Sequence, residues 1–294
     1  RLFSRIVGRF ALLPAAEITM EANPESMDEA KANQLARLGV NRVSMGAQSF
    51  VPEELRLLGR LHTVEGVFTA VSALRAAGIA NLNLDLICGF PGNTLESLDR
   101  SLGALAELAP AHASLYIYQL EEESHWGRIG IEAPDPDLQV DLYYRAKDFL
   151  ERCGYSHYEI SNWSRPGLEC RHNLKYWLGE PYVGIGLSSA SYLGGERRVN
   201  PDDFETHASA LDAGPRLESA LGPQERAREE LMLKLRLLRG VERLPGELDG
   251  QAGRDVRRVL DRYSKLGLLE RRGDGWALSR PGLALSNEVF AELI

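Results

Sequence analysis

Cysteine is scarce in this sequence of 294 residues. Its three cysteines, Cys88, Cys153 and Cys170, are far apart, and no CxxC pair occurs. Disulfide frameworks and thiolate zinc sites need several cysteines at short, regular spacings, so the sequence indicates neither. The simplest interpretation is that these thiols are buried or have no chemical role.

Long hydrophobic runs are also missing. No segment approaches the ~18 uninterrupted apolar residues that a transmembrane helix needs, and no stretch has the order of regions found in a signal peptide. The segment RLFSRIVGRF, residues 1–10, spaces its arginines against apolar residues, which favours an amphipathic helix over the end of a transit peptide. We therefore expect a cytoplasmic protein without a transmembrane segment.

Positive charge is in short supply. The chain has 34 lysines and arginines against 42 aspartates and glutamates, a formal net charge of −8, so a phosphate backbone meets net repulsion. The C-terminal part is locally basic through Arg254, Arg257, Arg258, Arg262, Lys265, Arg271 and Arg272. Acidic residues are interleaved with them and no aromatic platform accompanies them, which favours a solvated or protein-facing surface. Nucleic acid is not expected as a partner.

The first half of the chain alternates strand patterns with helix patterns. Strands are predicted at residues 17–22, 40–46, 81–87 and 114–120. Helix starts are indicated by Thr63, by Thr94 and by a capping box of Ser26 with Glu29. This alternation predicts an α/β fold with parallel strands joined by helices. The segment YSHYEISNW, residues 155–163, is predicted as one further strand.

Polar residues stand near the ends of three predicted strands. These are Glu21, Gln48 and Asp85, at the carboxyl edge where open α/β sheets and barrels place their sites. Four strands are too few to close a barrel, and the first strand has no bulge or proline to protect its edge. We therefore expect that something which should precede Glu17 is absent from this chain.

The C-terminal part has its own pattern. Pro215 and Gly222-Pro223 flank a boundary, after which helices at 225–238 and 255–266 precede a hairpin that turns at residues 273–275. Two helices followed by such a hairpin predict a winged-helix-like domain. The predicted domains are residues 1–130, 131–213 and 214–294.

Six motifs, in order along nearly the whole chain, carry a family resemblance. They are EANPES, RLGVNRVSMGAQSF, LLGRLHT, NLDLICGFPGNT, YEISNWSRPG and CRHNLKYW. Together they resemble the radical S-adenosylmethionine (SAM) family that contains oxygen-independent coproporphyrinogen III oxidase, and most closely its heme chaperone branch. The resemblance implies a partial radical SAM (β/α) barrel, the last four of six parallel strands, followed by a small winged-helix-like domain.

The motif that holds the family's 4Fe-4S cluster is absent. Neither its CxxxCxxC loop nor its glycine-rich turn occurs, and the three cysteines are too dispersed to replace that loop. The chain is therefore either a fragment of a longer protein, which the unspoiled binding motifs favour, or a relative that has lost the chemistry. We expect no radical chemistry from this chain alone and assign no catalytic residue.

The resemblance implies that four polar side chains bind SAM. Glu21 and Gln48 match contacts to the ribose and methionine portions, and Asp85 matches a ribose contact. Arg60 matches an arginine that binds the cofactor carboxylate, for which a guanidinium offers two parallel charge-assisted bonds. The alternatives are loop capping for Glu21 and Gln48, a surface salt bridge for Arg60, and for Asp85 a turn capped with Asn83.

The loop after the third strand is the next element of the resemblance. Gly89, Pro91 and Gly92 permit close approach of the backbone to a ligand, which implies further contacts with SAM. Phe90 and Asn93 depart mildly from the commoner family residues. A stronger departure is Ala190, where the family usually has a histidine.

The pattern HNxxYW is intact as His172, Asn173, Tyr176 and Trp177. In the heme chaperone branch it is associated with heme binding, which implies His172 as axial ligand of the heme iron and the aromatic rings as a porphyrin surface. From the residues alone, a hydrogen-bonded core histidine is the competing interpretation. Cys170 is the second candidate ligand, since on an extended segment it shares a side with His172.

The leading hypothesis is a heme chaperone that binds heme and delivers it to heme-accepting apo-proteins, with a homodimer left open. Two alternatives remain at this point. One is an oxygen-independent coproporphyrinogen III oxidase of porphyrin biosynthesis, and the other is a catalytically inactive binding scaffold.

Overall fold

A computed structural model describes residues 2–209 and 214–294 of the chain. Their contacts divide the chain into two compact units, one ending at Cys170 and one beginning at Arg171. Arg1 and the predicted boundary after residue 213 lie outside the described residues, and the three predicted domains stay a prediction. No described helix is both long and apolar enough to cross a bilayer.

The first unit is built on a mixed sheet of six strands in the order β1-β2-β3-β4-β6-β5. Its strands are β1 (Thr19–Ala22), β2 (Arg42–Gln48), β3 (Asn81–Cys88), β4 (His112–Ile117), β5 (Ser156–Glu159) and β6 (Asn162–Ser164). Its helices are α1 (Leu2–Arg9), α2 (Glu29–Arg37), α3 (Pro52–Leu57), α4 (Val64–Ala76), α5 (Leu95–Leu108), α6 (His125–Arg128) and α7 (Pro136–Arg152). The first four strands are parallel, as predicted.

The two faces of the parallel strands differ in chemistry. Apolar residues at alternate positions of β2 and β3 are almost fully buried, among them Val43, Met45, Leu82 and Leu84. The intervening positions are polar and in register, with Glu21 beside Ser44, Ser44 beside Asn83, and Asn83 beside His112. One face is thus a hydrophobic core, while the other is polar and is partly buried.

Two of the three predicted helix caps are confirmed. Thr63 accepts a hydrogen bond from the Gly66 amide at 3.1 Å, and Thr94 forms a reciprocal box with Ser97. The third prediction was wrong, because Asp28 caps α2 by accepting from the Lys31 amide at 2.8 Å. Ser26 instead ends a short 3-10 turn.

The prediction of a single strand at residues 155–163 was also wrong. The segment forms the antiparallel pair β5 and β6, and it reverses at Ile160 and Ser161. A buried carboxylate causes the turn, since Oε1 of Glu159 accepts from the Ser161 amide at 3.1 Å and from the Asn162 side chain. Periodicity does not reveal such a local closure.

The second unit contains α8 (Arg171–Trp177), β7 (Ala190–Leu193), β8 (Glu196–Val199), α9 (Phe204–Ser209), β9 (Arg216–Ala220), α10 (Pro223–Leu235), α11 (Gly250–Lys265), β10 (Leu269–Arg272), β11 (Gly275–Leu278), α12 (Arg280–Ala284) and α13 (Ser286–Ala291). Strands β7, β8 and β9 form an antiparallel sheet. The predicted order of α10, α11 and the β10–β11 hairpin is confirmed.

Candidate functional site

A cavity of about 350 Å³ lies at the carboxyl ends of β1, β2 and β3. It brings together three side chains that were predicted from sequence, Glu21, Gln48 and Asp85. Ser44 and Asn23 are also in its lining. Two carboxylates, two amides and a hydroxyl among these residues therefore converge where a parallel sheet places its ligands.

Gln48 has a strained backbone at this cavity. Its φ is 64°, in the left-handed region, and β2 has a register irregularity just before it. A Cβ on Gly46 would lie 2.5 Å from Nε2 of Gln48, so the amide in its present position packs against the glycine. Strain of this kind is retained mainly at functional positions, and here it aims an amide at the cavity.

Asp85 is held by neighbours on the same polar face. Ser44 donates to its Oδ2 at 3.3 Å, and Asn83 donates to its Oδ1 at 2.7 Å. Burial raises the pKa of Asp85, while hydrogen bonds from Ser114, Asn83 and Ser44 oppose that increase. The result is a fixed carboxylate whose outer surface faces the cavity.

A buried series of hydrogen bonds extends from Asp85 into the protein. His112 is 0% exposed, its Nδ1 lies 2.6 Å from Oδ1 of Asn83, and its Nε2 lies 2.8 Å from the Tyr158 hydroxyl. The backbone amide of Cys170 donates to that hydroxyl at 3.3 Å. Sequence reasoning missed His112 and Tyr158, although the alternation of polar residues on β3 and β4 is a signal for the former.

The direction of donation along these hydrogen bonds follows from the chemistry of the groups that form them. Burial lowers the pKa of His112 to about 3, so the ring is neutral and has one N–H. Because the Asn83 oxygen can only accept, Nδ1 donates to it and Nε2 accepts from Tyr158. Every donor from Cys170 onward is thus directed toward the carboxylate of Asp85.

The other residues implied for SAM lie outside the lining of this cavity. Arg60 is exposed after α3. Gly89 and Gly92 have φ of 73° and 85°, which glycine adopts without strain. A Cβ on Gly89 would lie 2.6 Å from the side chain of Gln139, so a protein contact already accounts for that glycine.

The cysteines do not fit an iron–sulfur cluster. Cys88 is 0% exposed at the end of β3, and burial raises the pKa of its thiol to about 12. Cys170 is 3% exposed, and Cys153 stands at the C-terminal end of α7. Within residues 2–209 and 214–294, no three His, Cys, Asp or Glu side chains are grouped to hold a metal ion.

The HNxxYW segment is helical, not extended. Helix α8 begins at Arg171, so Cys170 and His172 do not share a side: Cys170 is buried, whereas His172 is exposed. His172 and Tyr176 are one helical turn apart, with ring centroids separated by 4.9 Å in an edge-to-face arrangement. The structure therefore presents an imidazole beside a phenol ring at the surface of α8.

Asn173 and Trp177 occupy a neighbouring face of α8. The guanidinium of Arg236 lies 4.3 Å from the centroid of the Trp177 ring and covers one of its faces. The indole nitrogen of Trp177 is buried, without a hydrogen-bond partner within the described part of the chain. Tyr176 is thus better placed than Trp177 to contact a ligand beside His172.

The chain matches known proteins over most of its length. Residues 3–105 match the Radical SAM superfamily, and residues 221–285 match the HemN C-terminal domain. The heme chaperone HemW of Lactococcus lactis subsp. lactis (strain IL1403) is 35% identical over an alignment of 246 positions, which covers 82% of this chain and 65% of that relative. This chain thus spans less than two thirds of that protein. The heme chaperone HemW of Mycobacterium tuberculosis (strain ATCC 25618 / H37Rv) is 35% identical over an alignment of 301 positions, which covers 100% of this chain and 75% of the relative.

A solved structure confirms the predicted fold class. Coproporphyrinogen III oxidase (HemN) from Escherichia coli, a radical SAM enzyme, matches with a TM-score of 0.82 at 23% identity. The match covers 100% of this chain and 73% of that protein. At this identity the likeness shows the fold, a partial radical SAM barrel followed by a C-terminal domain.

Proposed function

Because this chain belongs to the heme chaperone HemW family of radical SAM proteins, we propose that it binds heme at α8 and delivers it to heme-accepting apo-proteins. The observation that carries the proposal is the exposed imidazole of His172, set edge-on against Tyr176 on one helical turn. Heme is the cargo in this proposal, not a resident cofactor.

The chemistry of the donor set fits heme. The macrocycle already supplies the equatorial ligands of the iron, so a single protein nitrogen is sufficient for axial attachment. His172 is such a nitrogen ligand, and the phenol ring of Tyr176 offers an apolar contact for the macrocycle. Delivery to a recipient requires a bond that can be exchanged, and an exposed ligand on a short helix permits access by the recipient.

The strand-end cavity fits part of SAM. The carboxylates of Glu21 and Asp85 are suitable acceptors for ribose hydroxyls, and the Gln48 amide can both donate to and accept from the methionine portion. When bound together with a reduced cluster, SAM supplies a radical. Since the cysteines here do not fit a cluster, the proposed function includes no radical step. The likeness to coproporphyrinogen III oxidase shows the fold alone, so no observation favours that activity.

A hemin titration followed by absorbance tests the proposal. We expect a Soret band that saturates near one heme per chain, and His172→Ala to weaken binding by about tenfold or more, which is ~1.4 kcal/mol. His207→Ala is the matched control, since His207 lies on α9 of the same unit. Identical titrations for the wild type and His172→Ala would overturn the proposal.

A further inference from the structure

A second cavity lies wholly within the second unit, beside Tyr176. It has a volume of about 310 Å³, and three tyrosines form its aromatic part: Tyr176, Tyr182 and Tyr192. The rings of Tyr176 and Tyr182 are 4.7 Å apart between centroids, and those of Tyr182 and Tyr192 are 6.2 Å apart. Tyr176 thus belongs both to this cavity and to the ring pair with His172.

Most charges in the lining of this cavity are neutralised by neighbours. Arg197 forms a salt bridge with Glu229 at 2.9 Å. Glu180 is paired with Lys175 at 2.8 Å, and Glu230 is paired with Lys234. These three ion pairs therefore contribute little net charge to the cavity.

Two charged residues in the lining, Arg226 and Glu247, form no ion pair within residues 2–209 and 214–294. Arg226 extends from α10 and is half-buried. A guanidinium in this position retains its capacity for a bidentate bond to a carboxylate. Glu247 adds one opposing charge, so the cavity suits a single carboxylate group and disfavours the entry of a second one.

The backbone makes room for Arg226. A Cβ on Gly195 would overlap with Nη1 of Arg226, and the φ of Gly195 is 84°. The turn between β7 and β8 needs glycine there because of its own conformation. The guanidinium of Arg226 thus lies against the turn between β7 and β8.

We propose that Arg226 binds a propionate carboxylate of the heme whose iron is held by His172, with the Tyr176 ring as the contact shared by the iron site and the carboxylate site. This inference rests on the proposed function and assigns the group that recognises the edge of the porphyrin. A cavity of about 310 Å³ is at the low end for ligand pockets, so it suits that edge and not the whole macrocycle.

The test is a thermodynamic cycle between the protein and the ligand. Hemin and the dimethyl ester of iron protoporphyrin, which lacks carboxylates, are titrated in the same buffer and co-solvent into wild type and Arg226→Ala. We expect Arg226→Ala to weaken hemin binding by about tenfold, as for a lost hydrogen bond to a charged group, and to leave ester binding unchanged. Arg226→Lys is expected to retain part of the affinity, because it keeps the charge but loses the bidentate geometry.

Three further variants serve as a control and as independent tests of the charge and of the iron ligand. Arg228→Ala is the matched control, since Arg228 lies on the same helix outside the cavity and its Nη1 lies 3.4 Å from the Leu293 carbonyl oxygen. Glu247→Gln is expected to tighten hemin binding by about twofold or more without tightening ester binding, because it removes a repulsive charge. His172→Ala reports separately on the proposed function, since it is expected to weaken both ligands.

The outcomes are distinguishable. Equal losses for hemin and ester in Arg226→Ala would overturn the inference, because they indicate a structural effect and not carboxylate recognition. Equal wild-type affinities for the two ligands would do the same. If His172→Ala leaves both titrations unchanged, the proposed function fails first. Circular dichroism of each variant shows whether it is folded.

Discussion

Nδ1 of His112 lies 2.6 Å from Oδ1 of Asn83, on neighbouring parallel strands and away from solvent. Asn83 in turn donates to Asp85, which lines the strand-end cavity. A carboxylate that faces a ligand site is thus anchored through a neutral histidine to the interior of the first unit. Buried polar networks of this kind define one arrangement, because any broken link leaves an unsatisfied group.

Acid is expected to destabilise the first unit through its buried histidines. Burial lowers the pKa of His112 and His157 from 6.5 to about 3. Between these values the unfolded chain binds protons that the folded chain does not, so stability is present above pH 6.5 and is lost as the pH falls toward 3. Each pKa unit corresponds to about 1.4 kcal/mol. Urea unfolding by circular dichroism from pH 7 to 4 measures this slope, and a slope unaffected by replacing both histidines would contradict it.

Tyr158→Phe is expected to lower the free energy of unfolding by about 1–3 kcal/mol. The change removes the hydroxyl that is hydrogen-bonded to Nε2 of His112 and to the Cys170 amide. Tyr118→Phe is the control, since the Tyr118 hydroxyl makes no hydrogen bond within the described ranges of the chain. Equal effects of the two substitutions in urea unfolding would mean that the chain of hydrogen bonds contributes nothing measurable.

Gln48→Gly is expected to raise stability and to weaken SAM binding. Glycine adopts a φ of 64° without strain, so the variant relieves about 1 kcal/mol or more of backbone energy. It also removes the amide from the cavity. Thermal unfolding and calorimetric titration with SAM measure the two effects on the same sample.

A change in stability without a change in SAM affinity would remove Gln48 from the proposed binding set. Gly46→Ala provides the complementary case, because its Cβ would displace the Gln48 amide. It is expected to reduce SAM affinity with little change in stability, because the displaced atoms are at the end of a flexible side chain.

The sequence predicted the parallel strands and the convergence of Glu21, Gln48 and Asp85, because strand periodicity places such residues at one edge of the sheet. The sequence did not predict the hydrogen bonds that anchor Asp85 to the interior. The roles of His112 and Tyr158 depend on pairing across strands that are distant in sequence. The turn at Glu159 depends on a carboxylate that bonds to amides two and three residues ahead.

The region of α8 was also predicted only in part. The motif HNxxYW was recognised from the sequence, but the helix was not, and the helix changes which residues share a face. The salt bridge of Arg197 with Glu229 joins β8 to α10, so it cannot be derived from spacing.

The difference in burial between Cys170 and His172 predicts which of them is the axial ligand. Cys170 is 3% exposed and its sulfur lies 3.9 Å from Oε1 of Glu17, so a thiolate there would face a carboxylate in a poorly solvated position. His172 is exposed on α8. We expect Cys170→Ser to leave the Soret position and hemin affinity unchanged, and His172→Ala to alter both. A Soret shift in Cys170→Ser alone would instead assign the iron to the thiolate, and it would require α8 to unwind at its first turn, which loss of ellipticity on adding hemin would reveal.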